Sequence, residues 1–83
     1  MNLNTFRNLI SNRYPNSSPK ELEEYLLMDL KNMVKHNKMI LLSKEEAKYL
    51  IILNKYRIED FLIRLIENNN LNIKMIIEEL SQY

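Results

Sequence analysis

The chain contains no glycine, and this absence narrows its folding options more than any motif it carries. Tight two-residue hairpins are disfavoured, because their turns need positive φ, which glycine adopts without steric penalty. The glycine-rich loops that cradle phosphates are excluded, as is the dinucleotide fingerprint, since both need close backbone approach. There is no cysteine either. That excludes disulfides, thiolate catalysis and cysteine zinc sites.

The chain is organised around residues 43–70. Ser43 followed by Glu46 forms a capping box, and Leu42 can pack on Ala47 as a hydrophobic staple. The far end is marked by Asn68, Asn69 and Asn70, and asparagine tolerates the left-handed conformation a helix adopts just past its last turn. At about 100° per residue, Ala47, Leu50, Ile51, Ile58, Phe61, Leu62 and Leu65 share one stripe, with Asn54 in its middle. A polar residue inside an apolar stripe often sets register or oligomeric state at some cost in stability. A second apolar stripe, Tyr49, Ile52, Leu53 and Tyr56, recurs at i, i+3, i+4 and i+7, and Ile63 continues it. It reads either as further core of a central helix wrapped by its neighbours, or as a protein-binding surface. Tyrosines suit the latter because each ring carries a polar end. A break near Asn54 to Tyr56, splitting the helix in two, is the alternative to one continuous helix.

At 83 residues the chain is expected to form one domain. A chain of this size buries only about 60–65% of its unfolded surface, so its margin of stability is thin. The apolar fraction of 46% argues against disorder. No apolar run approaches the length needed to span a bilayer. The first residues lack a charged region followed by an apolar core, so no signal peptide is expected and the expected compartment is the cytoplasm. Asn, Ile and Lys are abundant and Ala is nearly absent. That is the signature of AT-rich coding, as in low-GC bacteria and their phages or in some eukaryotic parasites.

The formal net charge is +1. Residues 1–16 carry two Arg and no acids, residues 17–42 four Lys and four acids, residues 43–69 five of each sign, and residues 70–83 one Lys and two Glu. Such mixing fits salt-bridged helix surfaces rather than the positive field of a nucleic-acid binder.

A first helix is expected from Leu3, Phe6, Leu9, Ile10 and Tyr14, capped by Asn2 or Asn4. Pro15 to Ser18 is the clearest linker. Asn16, Ser17 and Ser18 match the glycosylation pattern, a chance match without a secretion signal. A second helix starts at a Ser18 cap with Pro19 in its first position and Glu21 completing another capping box. Its core face carries Leu22, Leu26, Leu30 and Met33. Lys31, Lys35 and Lys38 lie opposite and, with Arg7 and Arg13, are the candidate phosphate contacts; a solvated face is the simpler reading of each. His36 is the only histidine and reads as a surface residue at a helix end. Met39 to Leu42 is either an extension of the second helix or a buried connector. Ile73, Ile76, Ile77 and Leu80 form the stripe of a last helix, capped by Asn70 or Asn72.

The expectation is therefore an all-α bundle of four helices, roughly 2–14, 19–37, 44–69 and 71–82, or five if the central helix breaks. Adjacent acids such as Glu45 and Glu46, Glu59 and Asp60, or Glu78 and Glu79 point about 100° apart on a helix and do not converge as acid–base partners. No enzyme, cofactor, metal or small-molecule substrate is expected. The expected function is a non-catalytic protein-binding module acting through Tyr49, Ile52, Leu53, Tyr56 and Ile63. By analogy with other small helical proteins, it would be a phage- or mobile-element-encoded inhibitor or regulator of a host protein, with self-association into a homodimer as a further use of the stripe. The alternatives are a helix-turn-helix-like nucleic-acid-binding regulator and an immunity-type helical bundle.

Overall fold

A computed structural model describes residues 1–82. The described residues form five helices: α1 Leu3–Arg13, α2 Pro19–Lys35, α3 Lys44–Leu53, α4 Asp60–Asn68 and α5 Ile73–Leu80. The architecture is all-α. Most helix starts follow local chemistry. The Asn2 carboxamide accepts from the Thr5 amide at 2.8 Å. Ser18 and Ser43 head reciprocal capping boxes with Glu21 and Glu46, and Asn72 caps α5. These side chains satisfy amides that the first helical turn leaves without intrahelical partners.

Helix ends without glycine need another residue at positive φ. Asn37, Lys55 and Asn70 fill the left-handed position after α2, α3 and α4, with φ of 57°, 56° and 58°. Each end closes with paired 6→1 and 5→2 bonds: Lys38 N–H to Met33 and Asn37 N–H to Val34, Tyr56 to Ile51 and Lys55 to Ile52, Leu71 to Ile66 and Asn70 to Glu67. This is the Schellman arrangement. After α3 it is followed by a second left-handed residue, Tyr56, at φ 60°. A left-handed non-glycine residue costs about 1–2 kcal/mol, less for asparagine.

The single helix expected over 44–69 is thus two helices. Had it continued, it would run about 39 Å, beyond the 36 Å longest dimension of the molecule. The turn folds α4 back so that α3 packs on both α4 and α5, while α2 packs on α1 and α4. Ala47, Leu50, Ile51, Phe61, Leu62 and Leu65 are buried as the first stripe requires, and Ile66, outside that stripe, is fully buried as well. Asn54 is not a register residue within a helix. It is the C-cap of α3, 3% exposed, and its amide donates to the Arg57 carbonyl at 2.8 Å and to Glu59 Oε1 at 3.2 Å.

Residues 39–42 form an extended connector in which Ile40 and Leu42 are buried and Met39 and Leu41 exposed, the alternation of a strand. The Leu41 amide donates to the Met1 carbonyl at 2.8 Å, and Asn2 and Leu41 form a parallel bridge. On the other edge Asn69 takes the part of a neighbouring strand. Its Oδ1 accepts from the Leu42 amide at 2.9 Å, and its Nδ2 donates to the carbonyls of Ile40 at 2.9 Å and Leu65 at 2.8 Å. No helix among the described residues is long and apolar enough to cross a membrane.

Two asparagine substitutions test these roles. Asn54→Leu and Asn69→Leu each leave buried polar partners unmet and are expected to lower stability by about 1–3 kcal/mol, a drop of several degrees or more in melting temperature for a domain of this size. Urea and thermal unfolding followed by circular dichroism measure it. An Asn54→Leu variant more stable than the wild type would assign Asn54 no capping role.

Candidate protein-binding surface

The outer face of α3 is where most of the second apolar stripe gathers. Ala47, Leu50 and Ile51 turn inward and are fully buried, which leaves the opposite side of a ten-residue helix facing away from the core. A shallow groove of about 390 Å³ lies along it, lined by Glu45, Lys48, Tyr49, Ile52, Tyr56 and Leu80. Ile52 is 49% and Tyr56 61% exposed. Tyr49 is half-buried and packs on the core, as does Leu53. Ile63 sits on α4, beyond the turn, and is not among the groove residues. The structure therefore unites Tyr49, Ile52 and Tyr56, tucks Leu53 toward the interior, and separates Ile63.

The groove also takes residues that sequence reasoning did not place there. Leu80 reaches it from the end of α5, although the periodicity of that helix assigns it simply to a core stripe. Arg7 of α1 lies over the Tyr49 ring, its guanidinium carbon 4.9 Å from the centroid, a cation–π distance. Tyr49 and Arg7 also border a second, smaller cavity of about 180 Å³ between α1 and α2, with Ser11, Leu22, Glu23 and Leu26 among its other walls.

The candidate phosphate contacts do not form one cluster. Arg13 pairs with Asp29 at 3.2 Å and Lys31 with Glu59 at 2.9 Å. Lys31 also lies 5.3 Å from the centroid of the Phe61 ring. Arg7 is on Tyr49, while Lys35 and Lys38 are exposed near the end of α2. His36 is the C-cap of that helix and is exposed. Set beside known protein families, curated proteins and solved structures, the chain matches none.

One edge of the groove is fixed by charge. Glu79 of α5 ion-pairs with Lys44 and, at 2.9 Å, with Lys48, both on α3. Lys48 also reaches Glu45 at 3.6 Å. The bonds from Lys44 and Lys48 hold the Glu79 carboxyl below its ordinary value. Glu59 is lowered in the same way, first by Lys31 and then by Asn54. In both cases the folded state binds protons less readily than the unfolded chain. The contribution to stability is therefore complete above the unfolded value near 4.5 and is lost as pH falls through the lowered folded value. The melting temperature is expected to decline below about pH 4.5. Glu79→Gln should melt lower than the wild type at neutral pH, with the gap closing on acidification. A gap that stays constant with pH would assign Glu79 no such linkage.

Proposed function

We propose that the chain is a non-catalytic protein-binding module acting in the cytoplasm, whose contact face is the outer side of α3. Tyr49, Ile52 and Tyr56, joined by Leu80, form the apolar centre of the contact, and Glu45 and Lys48 form its rim, with Arg7 over the Tyr49 ring beside it. A hydrophobic centre within a charged rim is the anatomy of a protein interface, and tyrosine is enriched at such centres. The partner class is a host protein that the chain inhibits or regulates, in the manner of small proteins encoded by phages and mobile elements. The Asn-, Ile- and Lys-rich composition and the small helical fold support that part of the reading.

The observation that carries the proposal is the exposure of Ile52 and Tyr56 over one groove. Apolar area left in water forgoes about 25 cal/mol per Å², and a small domain has little stability to forgo. A standard interface takes roughly 800 Å² and about 20–30 residues per partner, so a partner seated on these six groove residues would extend over neighbouring polar surface as well.

Ile52→Asp and Tyr56→Asp place a charge at the centre of the contact while leaving the buried side of α3 untouched. Aspartate also tolerates the left-handed backbone of residue 56. Both variants are expected to keep the helical circular-dichroism signal and to lose at least tenfold in partner affinity, the order of effect of a hot-spot substitution. Affinity capture from the lysate of the cell that makes the chain, compared by quantitative mass spectrometry with wild-type and variant baits, measures it. A protein retained equally by all three baits would not be bound through this face. Loss of helicity in Ile52→Asp would make the stripe structural, and the proposal would fail.

A further inference from the structure

The turn between α3 and α4 holds an unresolved tension between sequence pattern and backbone. Residues 54–59 contain no proline or glycine, so no local breaker ends the helix there. The apolar stripe from Ala47 to Leu65 keeps its phase straight through the turn when counted at about 100° per residue. Yet the turn is made by two consecutive left-handed residues, Lys55 and Tyr56, neither of a type that favours that conformation. A strained connection between two elements that would also read as one helix is the condition under which identical chains exchange elements.

We infer that the chain exchanges α4 and α5 with a second copy of itself, the turn straightening into one helix from Lys44 to Asn68. Opening the turn divides the chain into α1–α3 and α4–α5. The packings that join the halves, α2 on α4 and α3 on α4 and α5, all re-form between two copies, as do the Asn69 bonds to the connector. The closed form alone has the bonds of the Asn54 amide to Arg57 and Glu59. In return, two residues leave the left-handed region. The straightened helix would also bring Tyr49, Ile52, Tyr56 and Ile63 within about 60° of one another, opposite the core stripe. Ile63, stranded from that group in the closed form, rejoins it, on a face that points away from the core stripe by which the two long helices pack. Exchange requires the halves to separate, so it is slow and depends on concentration during folding. It stands apart from the docking reading, because it concerns the turn and the core packing rather than occupancy of the groove.

The ion pair between Lys48 and Glu79, at 2.9 Å, joins the two halves, whereas the pair between Lys48 and Glu45 lies within one. A carbodiimide, which couples an amine directly to a touching carboxylate, therefore reports which chain supplies α5. Natural-abundance and heavy-nitrogen chains are mixed unfolded and refolded at low and at high concentration. The dimer fraction is isolated by size-exclusion chromatography, coupled, and digested. The expected result is a dimer that grows with refolding concentration, with mixed-isotope peptides for the Lys48–Glu79 link and single-isotope peptides for Lys48–Glu45. A Lys55→Gly, Tyr56→Gly double variant relieves the turn and disfavours the straight helix. Its dimer constant is expected to fall by about a hundredfold or more, with helicity checked by circular dichroism. A chain that stays monomeric at every concentration overturns the inference. So does a dimer whose Lys48–Glu79 links stay within one chain, or a glycine variant that dimerises as the wild type does.

Discussion

The carboxamide of Asn69 holds together parts of this molecule that would otherwise have no reason to meet. The connector between α2 and α3 buries Ile40 and Leu42, and burying an extended segment leaves its amides and carbonyls in need of partners. A sheet would supply them from a neighbouring strand. Here one side chain does so, taking the Leu42 amide and the Ile40 carbonyl while also bonding the Leu65 carbonyl of its own helix. An asparagine side chain carries the same donor and acceptor groups as a peptide unit. The connector can therefore run across the end of α4 as a strand without a sheet. That path brings α3 down beside α4 and α5, and the groove on the outer side of α3 follows from it.

The second constraint is that every reversal must be made without glycine. After α2 and α4 the left-handed position falls to Asn37 and Asn70, residues that accept it at modest cost. Arg64 further ties Asn37 to α4 through a hydrogen bond of 3.3 Å. After α3 the same position falls to Lys55, and Tyr56 follows it. That end is held from inside by the Asn54 carboxamide, which satisfies the Arg57 carbonyl and one oxygen of Glu59, while Lys31 takes the other. Glu59 is the N-cap of α4 but makes no side-chain capping bond there; its carboxylate serves the turn and α2 instead. Tertiary contacts have displaced local chemistry at the one junction where local chemistry favours a continuous helix.

What the sequence revealed and what it concealed divide along that line. The capping boxes at Ser18 and Ser43 and the linker at Pro15 to Ser18 were legible because each signal is complete within a few residues. The inward stripe from Ala47 to Leu65 was legible because helical phase survives the turn. The break itself was ambiguous, since nothing at 54–59 forbids a helix and the forces that bend the chain come from Lys31 and from the core. Asn54 reads in sequence as a polar residue inside the core-facing stripe, and only its partners make it a cap. Tyr49, Ile52 and Tyr56 line one groove because they precede the turn or sit in it. Ile63 was assigned to them by a periodicity that the turn interrupts. Leu80 joined the groove through the packing of α5 on α3, for which sequence carries no local signal. Among the candidate phosphate contacts Arg7, Arg13, Lys31, Lys35 and Lys38, the pairings of Arg13 with Asp29 and of Lys31 with Glu59 make two of them links between elements.

Tyr56 belongs both to the groove and to the strained turn, and this double membership couples two behaviours of the chain. Its exposure is a product of the left-handed backbone that carries it past the end of α3. Because α5 of a second copy would supply the Leu80 wall in the exchanged dimer as well, a partner tells the two forms apart only by gripping Tyr56 where the left-handed turn holds it. Such a partner would stabilise the closed form by mass action and draw chains away from the exchanged dimer. A partner indifferent to the turn would leave that equilibrium unchanged, however tightly it bound. The strain at Lys55 and Tyr56 thus has a consequence beyond local energy: it sets how strongly occupation of the outer face of α3 and exchange of α4–α5 oppose each other. Glycine in those two positions would remove the exchanged form and, by deleting the Tyr56 ring, one wall of the groove as well.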